Sequence, residues 1–173
     1  MTSDNHHLAV GTYNCQHFKE DFYYFQEILK QCDIVLLQEH CLYKEQLHKI
    51  LDMGNVLYHG TSPMDISVPL IGRPYGGCAI IWHDRLHAKF IPLECKSPRL
   101  CAGTMTLHNG LSALLINMYL PCDSRYLSAS CHETMEVLDE ALALVLNNPS
   151  EVTIVGGDFN SDFNRRSPQV ASV

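Results

Sequence analysis

The spacing of apolar residues changes repeatedly along the chain and divides it into short elements. Residues 8–14 (LAVGTYN) partly alternate apolar and polar side chains, the pattern of a strand. Phe18, Phe22, Phe25 and Leu29 then recur at three- and four-residue spacing, which predicts one buried face of a helix. The run 33–38 (DIVLLQ) is continuously apolar between its polar ends and predicts a strand covered on both faces. Lys44–Met53 carries Leu47, Ile50 and Leu51, a short amphipathic helix stopped by Gly54. Residues 60–76, rich in Gly, Pro, Ser and Asp, predict a long surface loop.

Gly76-Gly77 ends that loop. Residues 78–83, 88–92, 99–107 and 112–119 predict successive strands, antiparallel in character, and His108-Asn109-Gly110 supplies a tight hairpin between the last two. Ser130-Cys131-His132-Glu133 has the spacing of a capping box, followed by Met135, Leu138, Leu142 and Val145 on one expected apolar face. Asn147-Asn148-Pro149 ends that helix, and residues 152–155 predict a last strand. The elements describe a mixed α/β layered domain over residues 8–162, between a flexible tail (1–7) and a polar one (163–173).

Composition narrows the class. At 173 residues and 46% hydrophobic, the chain is a globular sequence with room for one core. Its longest apolar runs (34–37 and 113–116) are far too short for a membrane span. The polar stretch after Met1 has no signal-peptide character, so the expectation is a soluble intracellular protein with no membrane partner. Eight cysteines form no CxxC pair, and several sit within apolar runs, which predicts reduced, structural thiols. The net charge of −7 argues against a nucleic-acid binder that works through its own surface field. A phosphate-bearing ligand would need a bound cation, or local arginines such as Arg73, Arg99 and Arg125.

Four segments place oxygen- or amide-bearing side chains at the ends of predicted strands: Thr12-Tyr13-Asn14, Leu37-Gln38-Glu39, Asn117-Met118-Tyr119-Leu120-Pro121 and Gly156-Gly157-Asp158-Phe159-Asn160. Strand ends can converge on one rim of a sheet, where ligand sites form. Oxygen donors without clustered Cys or His suit a hard cation, Mg²⁺ or Mn²⁺. Taken singly, each segment also fits a plain role: Asn14 ending a strand, Glu39 emerging into solvent, Pro121 closing a strand.

In this order, with Gly76-Gly77-Cys78-Ala79-Ile80 between the second and third, the segments resemble the endonuclease/exonuclease/phosphatase superfamily. The details around Asn14-Cys15 and Cys32-Asp33 are most similar to endonuclease domains of retrotransposons lacking long terminal repeats. The resemblance implies a four-layered DNase-I-like α/β sandwich and a Mg²⁺- or Mn²⁺-dependent phosphodiesterase acting on nucleic acid, DNA in the first place. It implies metal binding by Glu39 with Asn14 and Asp158 beside it. Asp158 would position the attacking water, and Tyr119 and Asn160 would contact the phosphate, with Gln16 a further shell residue. A polyprotein with reverse transcriptase and a nuclear location follow from the subgroup.

Three positions depart from the family pattern. Gln16 replaces an Asp or Asn, Cys122 stands where DNA-repair relatives carry Asn, and the late Asp and Ser-Asp-His motifs do not occur. The resemblance therefore implies a domain incomplete at its C-terminus, with an open sheet edge and weak or absent cleavage by this chain alone. A catalytically inactive, partner-binding remnant and a phosphatase or lipid phosphodiesterase of the same superfamily stay open.

Overall fold

A computed structural model describes residues 7–18, 23–122 and 128–160. Two four-stranded sheets stack face to face. The first has the order β1-β2-β4-β3, with β1 Val10–Asn14, β2 Ile34–Gln38, β3 Val56–Thr61 and β4 Cys78–His83. The second has the order β5-β6-β7-β8, with β5 Lys89–Leu93, β6 Leu100–Thr106, β7 Ser112–Tyr119 and β8 Val152–Asp158. The strands that read as one antiparallel series are thus divided between the sheets at the β4–β5 connection. Parallel pairs (β1 with β2, β7 with β8) lie at matching ends of the two sheets, and the remaining pairs are antiparallel.

Three apolar clusters separate four layers. Helix α1 (Tyr23–Gln31) and the segment Lys44–Met53 cover the outer face of the first sheet, where Phe25, Leu29 and Ile50 meet Val35, Leu37 and Ile81. Between the sheets, Ile34, Leu36, Ile80 and Trp82 meet Cys101, Met105 and Leu115. Helix α2 (Ser128–Asn147) covers the second sheet, with Val137 and Ala141 on Leu100, Leu114, Ile116 and Met118. The unbroken apolar run of β2 follows directly: Ile34 and Leu36 point into one cluster, Val35 and Leu37 into the other.

Several expectations need correction. Lys44–Met53 is helical but wound as a 3₁₀ helix. Strand β3 was not foreseen, and its last residues, Gly60 and Thr61, belong to a strand and not to the long loop. Helix α2 starts at Ser128, ahead of the expected Ser130 cap. Its buried face is also different: Val137 and Ala141 are buried with the expected Val145 packed beside them, whereas Met135, Leu138 and Leu142 are exposed. The two faces are nearly equally apolar, so the period alone could not choose between them. Phe22, most of the 1–7 tail and all of the 163–173 tail lie outside the described residues.

The hairpin at Asn109-Gly110 forms as expected, with Gly110 at φ 88° and Leu107 N–H bonded to Leu111 O. All eight cysteines are free, three of them buried. Among the described residues no helix is long and apolar enough to cross a membrane.

Candidate active site

The site lies where β1, β2, β7 and β8 end together. The Asn14 side chain, leaving β1, donates from Nδ2 to Glu39 Oε1 and to Asp158 Oδ2, both at 2.7 Å. Asn14 Oδ1 accepts the backbone N–H of Gln16 at 3.0 Å, which fixes which end of the amide faces the carboxylates. One neutral amide therefore bridges two acids from different sheets. Two carboxylates bridged in this way gather negative charge that a nearby cation would offset.

A buried amide pair behind the site sets its register. Asn117 in β7 and Gln38 in β2 are almost fully enclosed. Asn117 Nδ2 donates to Leu37 O (2.8 Å) and Ala79 O (2.9 Å) across the gap between sheets, while its Oδ1 accepts from Gln38 Nε2 at 2.6 Å. Gln38 also holds Thr12 in β1. Buried polar groups so fully satisfied lock one alignment of the strands, because any slip leaves amides unpaired. That alignment places Glu39, one residue past Gln38, against Tyr119, two residues past Asn117. Asn117 is not among the residues expected at the site; an amide inside an otherwise apolar stretch, 113–118, is the signal that marks it.

Glu39 occupies a left-handed backbone conformation (φ 53°), as does Cys41 (φ 54°), which side chains other than Gly seldom adopt. His40 between them holds this strained turn. Its Nδ1 accepts Leu42 N–H at 3.0 Å, leaving Nε2 to donate to Thr61 O at 3.0 Å. Burial pushes its pKa down to about 4, so it stands as a neutral structural ring. The ring fills the space where a Cβ on residue 77 would sit, which accounts for Gly77.

Tyr119 is half-buried beside Glu39. Burial first, then hydrogen bonding and charge from Glu39, push its pKa up to about 12, so the phenol keeps its proton as a donor at neutral pH. Asp158 is held by its own turn: Oδ1 accepts Asn160 N–H at 3.0 Å, and its carbonyl accepts Leu120 N–H at 2.9 Å. Asn160 donates from Nδ2 to Leu120 O and accepts from the Cys122 thiol.

The structure thus brings Asn14, Glu39, Tyr119 and Asp158 into one cluster, with Asn160 on its flank. Gln16 contributes its backbone N–H; its side chain is exposed. Of the three arginines, Arg99 reaches the cluster, with its guanidinium carbon 5.1 Å from the centre of the Tyr119 ring. Arg73 is exposed in the long loop, and Arg125 lies outside the described residues. Among the described residues no three His, Cys, Asp or Glu side chains converge as a closed metal cage. Two carboxylates, an amide and open solvent suit an ion that keeps much of its water, as Mg²⁺ does.

Known structures share this architecture. A 3′ phosphatase from Neisseria, solved with a product DNA hairpin, superposes with a TM-score of 0.59 at 18% identity, over 89% of this chain and 58% of that one. An AP endonuclease from Archaeoglobus fulgidus gives 0.58 at 18% identity with the same coverage. ANGEL2, a 2′,3′-cyclic phosphatase, gives 0.56 at 14% identity, over 91% of this chain and 53% of that one. The chain accordingly spans between half and three-fifths of the length of these relatives. No curated protein sequence matches it. The sequence profile of the Endonuclease/Exonuclease/phosphatase family matches residues 11–171, nearly the whole chain, so with its two stacked sheets this protein belongs to that family.

Proposed function

We propose that the chain carries the metal-side half of a phosphodiester-hydrolysing site that acts on nucleic acid, DNA in the first place. The observation that carries this reading is the Asn14 amide shared between Glu39 and Asp158. In this reading Glu39, with Asn14 beside it, holds a Mg²⁺ or Mn²⁺ ion, which when bound offsets charge on the phosphate and the leaving oxygen. Asp158 accepts a hydrogen bond from the attacking water and aligns it. Tyr119, kept protonated, donates to a phosphate oxygen, and the Asn160 amide turns toward another.

The DNA substrate is supported by the Neisseria relative solved with its product hairpin. The finer reading, an endonuclease of a retrotransposon working beside a reverse transcriptase in the nucleus, rests on the sequence around Asn14-Cys15 and Gly76-Gly77-Cys78. A second reading has its own support. His40, the histidine next to Glu39, is neutral and committed to the backbone, so a histidine acid or base is missing from the described cluster. A chain that binds metal and nucleic acid with little cleavage fits that arrangement.

The test combines a Mg²⁺ thermal titration with plasmid nicking. Mg²⁺ at a hundredfold excess over its Kd would stabilise the wild type by about 2.7 kcal/mol. Glu39→Gln should lose that response while keeping its metal-free stability, because the amide oxygen can still accept from Asn14. Nicking by the isolated chain should be slow, and absent in Glu39→Gln. A wild-type melting curve indifferent to Mg²⁺ and Mn²⁺ would sink the metal reading.

A further inference from the structure

Arg99 is placed with more care than a surface arginine needs. It immediately precedes β6, and its backbone carbonyl accepts the N–H of Tyr119 at 2.9 Å and the thiol of Cys78 at 3.4 Å. The turn before it is tied to α2: Glu140 accepts the N–H groups of Lys96 (2.5 Å) and Ser97 (3.0 Å), and Ser97 Oγ accepts the N–H of Arg99. Two helical turns earlier on α2, Glu133 accepts from Arg99 Nε at 2.6 Å. Seven residues apart on a helix means the same face, so a single side of α2 fixes both the turn and the side chain that leaves it. The guanidinium is then laid over the Tyr119 ring, with about a quarter of the side chain still open to solvent.

This geometry commits Nε to Glu133 and sets the guanidinium over the Tyr119 ring, beside the cluster. A guanidinium fork matches two oxygens of a phosphate, and its stacking on an aromatic ring limits the orientations it can take. The need is also clear. The neighbouring side chains are Glu39, Asp158 and Glu133, in a chain of net charge −7, and a polyanion cannot approach them without local positive charge.

We propose that Arg99 forms a phosphate subsite beside Tyr119, binding a backbone phosphate of the nucleic-acid strand, with Glu133 as the residue that positions its fork. This rests on the nucleic-acid reading above. The bland alternative is that Arg99 and Glu133 only staple α2 to the sheet.

The two ideas separate by salt dependence. A labelled single-stranded oligonucleotide would be titrated by anisotropy at constant Mg²⁺ over a series of salt concentrations, with wild type, Arg99→Gln and Glu133→Gln. Both variants break the same ion pair, so any loss from loosening α2 is common to them. Loss of one phosphate contact lowers the slope of log affinity against log salt by about 0.7. The expected result is that loss in Arg99→Gln, and in Glu133→Gln weaker binding with a wild-type slope, because the charge remains and only its aim is lost. A wild-type slope in Arg99→Gln, even with weaker binding, overturns the subsite and leaves the nucleic-acid reading intact. No binding by wild type overturns both. Should Arg99→Gln fail to fold, the Arg99 Nε–H resonance of the wild-type protein decides: it should shift on adding the oligonucleotide, and a resonance that does not move rejects the subsite.

Discussion

Strands β2 and β8 deliver the two carboxylates of the same site, and they are supported in opposite ways. β2 is buried along its whole length, paired on both sides and packed on both faces. β8 pairs with β7 alone among the described residues and leaves Val152 and Val155 exposed, at 39% and 43%. Among the described residues, Glu39 therefore projects from the most enclosed strand and Asp158 from a strand paired on one side. A site spanning such strands has one fixed wall and one wall that yields, since local opening is easiest where few apolar contacts are made. An unpaired edge with exposed valines also invites pairing with another strand.

The sharpest way to break this contrast is to truncate a side chain in each strand. Leu36→Ala, between the sheets, should cost about 3–5 kcal/mol through lost burial and the cavity left behind. Val155→Ala should cost less than about 1 kcal/mol, because much of that side chain already meets water. Urea denaturation of both variants checks it; equal losses would mean that β8 is as enclosed as β2.

The turn after β2 adds a pH signature. The pKa of His40 in the fold, about 4, lies below the ordinary 6.5. Its contribution is complete above pH 6.5, where both folded and unfolded chains are neutral there. As pH falls the unfolded chain takes the proton first, and stability drops until pH reaches about 4. The full loss is about 3 kcal/mol. His59, also depressed by burial, acts in the same direction. Denaturation midpoints between pH 7 and 4 should therefore fall, and His40→Gln should flatten most of that decline.

At the yielding wall, Gly157 is the point of leverage. Its φ of 143° is reserved for glycine, and a Cβ there would run into the carbonyl of Met118. Gly157→Ala should cost about 2 kcal/mol in strain and shift Asp158, the next residue. The measurement is the Mg²⁺-dependent rise in melting temperature, which should shrink in this variant. If it stays at the wild-type value, the position of Asp158 does not matter to the metal.

The same contrast explains what the sequence made legible. β2 could be read from its letters because both neighbouring layers demand apolar side chains, and the demand shows as an unbroken run. Asn14, Glu39, Tyr119 and Asp158 could be read because each ends a strand with a polar group and their order is distinctive. What escaped depended on partners distant in the chain. β3 was hidden because Val56–Thr61 has one buried residue and a histidine and glycine near its end. Asn117 and Gln38 satisfy each other across 79 positions, a pairing no local window contains. The importance of Arg99 rests on Glu133 and Tyr119, which the fold alone brings to it.

Helix α2 is the clearest case, and it offers the finest test. Its sequence carries apolar residues on two sides: Val137, Ala141 and Leu144 on one, Met135, Leu138, Leu142 and Leu146 on the other. A period-based reading favours the larger side chains, yet the sheet takes the smaller ones, because Leu114, Ile116 and Met118 already fill the space beneath the helix. Val137 is 1% exposed and Leu142 is 57% exposed. Val137→Ala should cost about 1–2 kcal/mol from two lost methyl groups and the gap beneath them. Leu142→Ala should change stability by no more than about 0.5 kcal/mol, since alanine is at least as good a helix former and little buried area is lost. A reversed ranking in thermal unfolding would mean that the helix presents its other face to the sheet, and Glu133 and Glu140 would then have to let go of Arg99 and the turn before it.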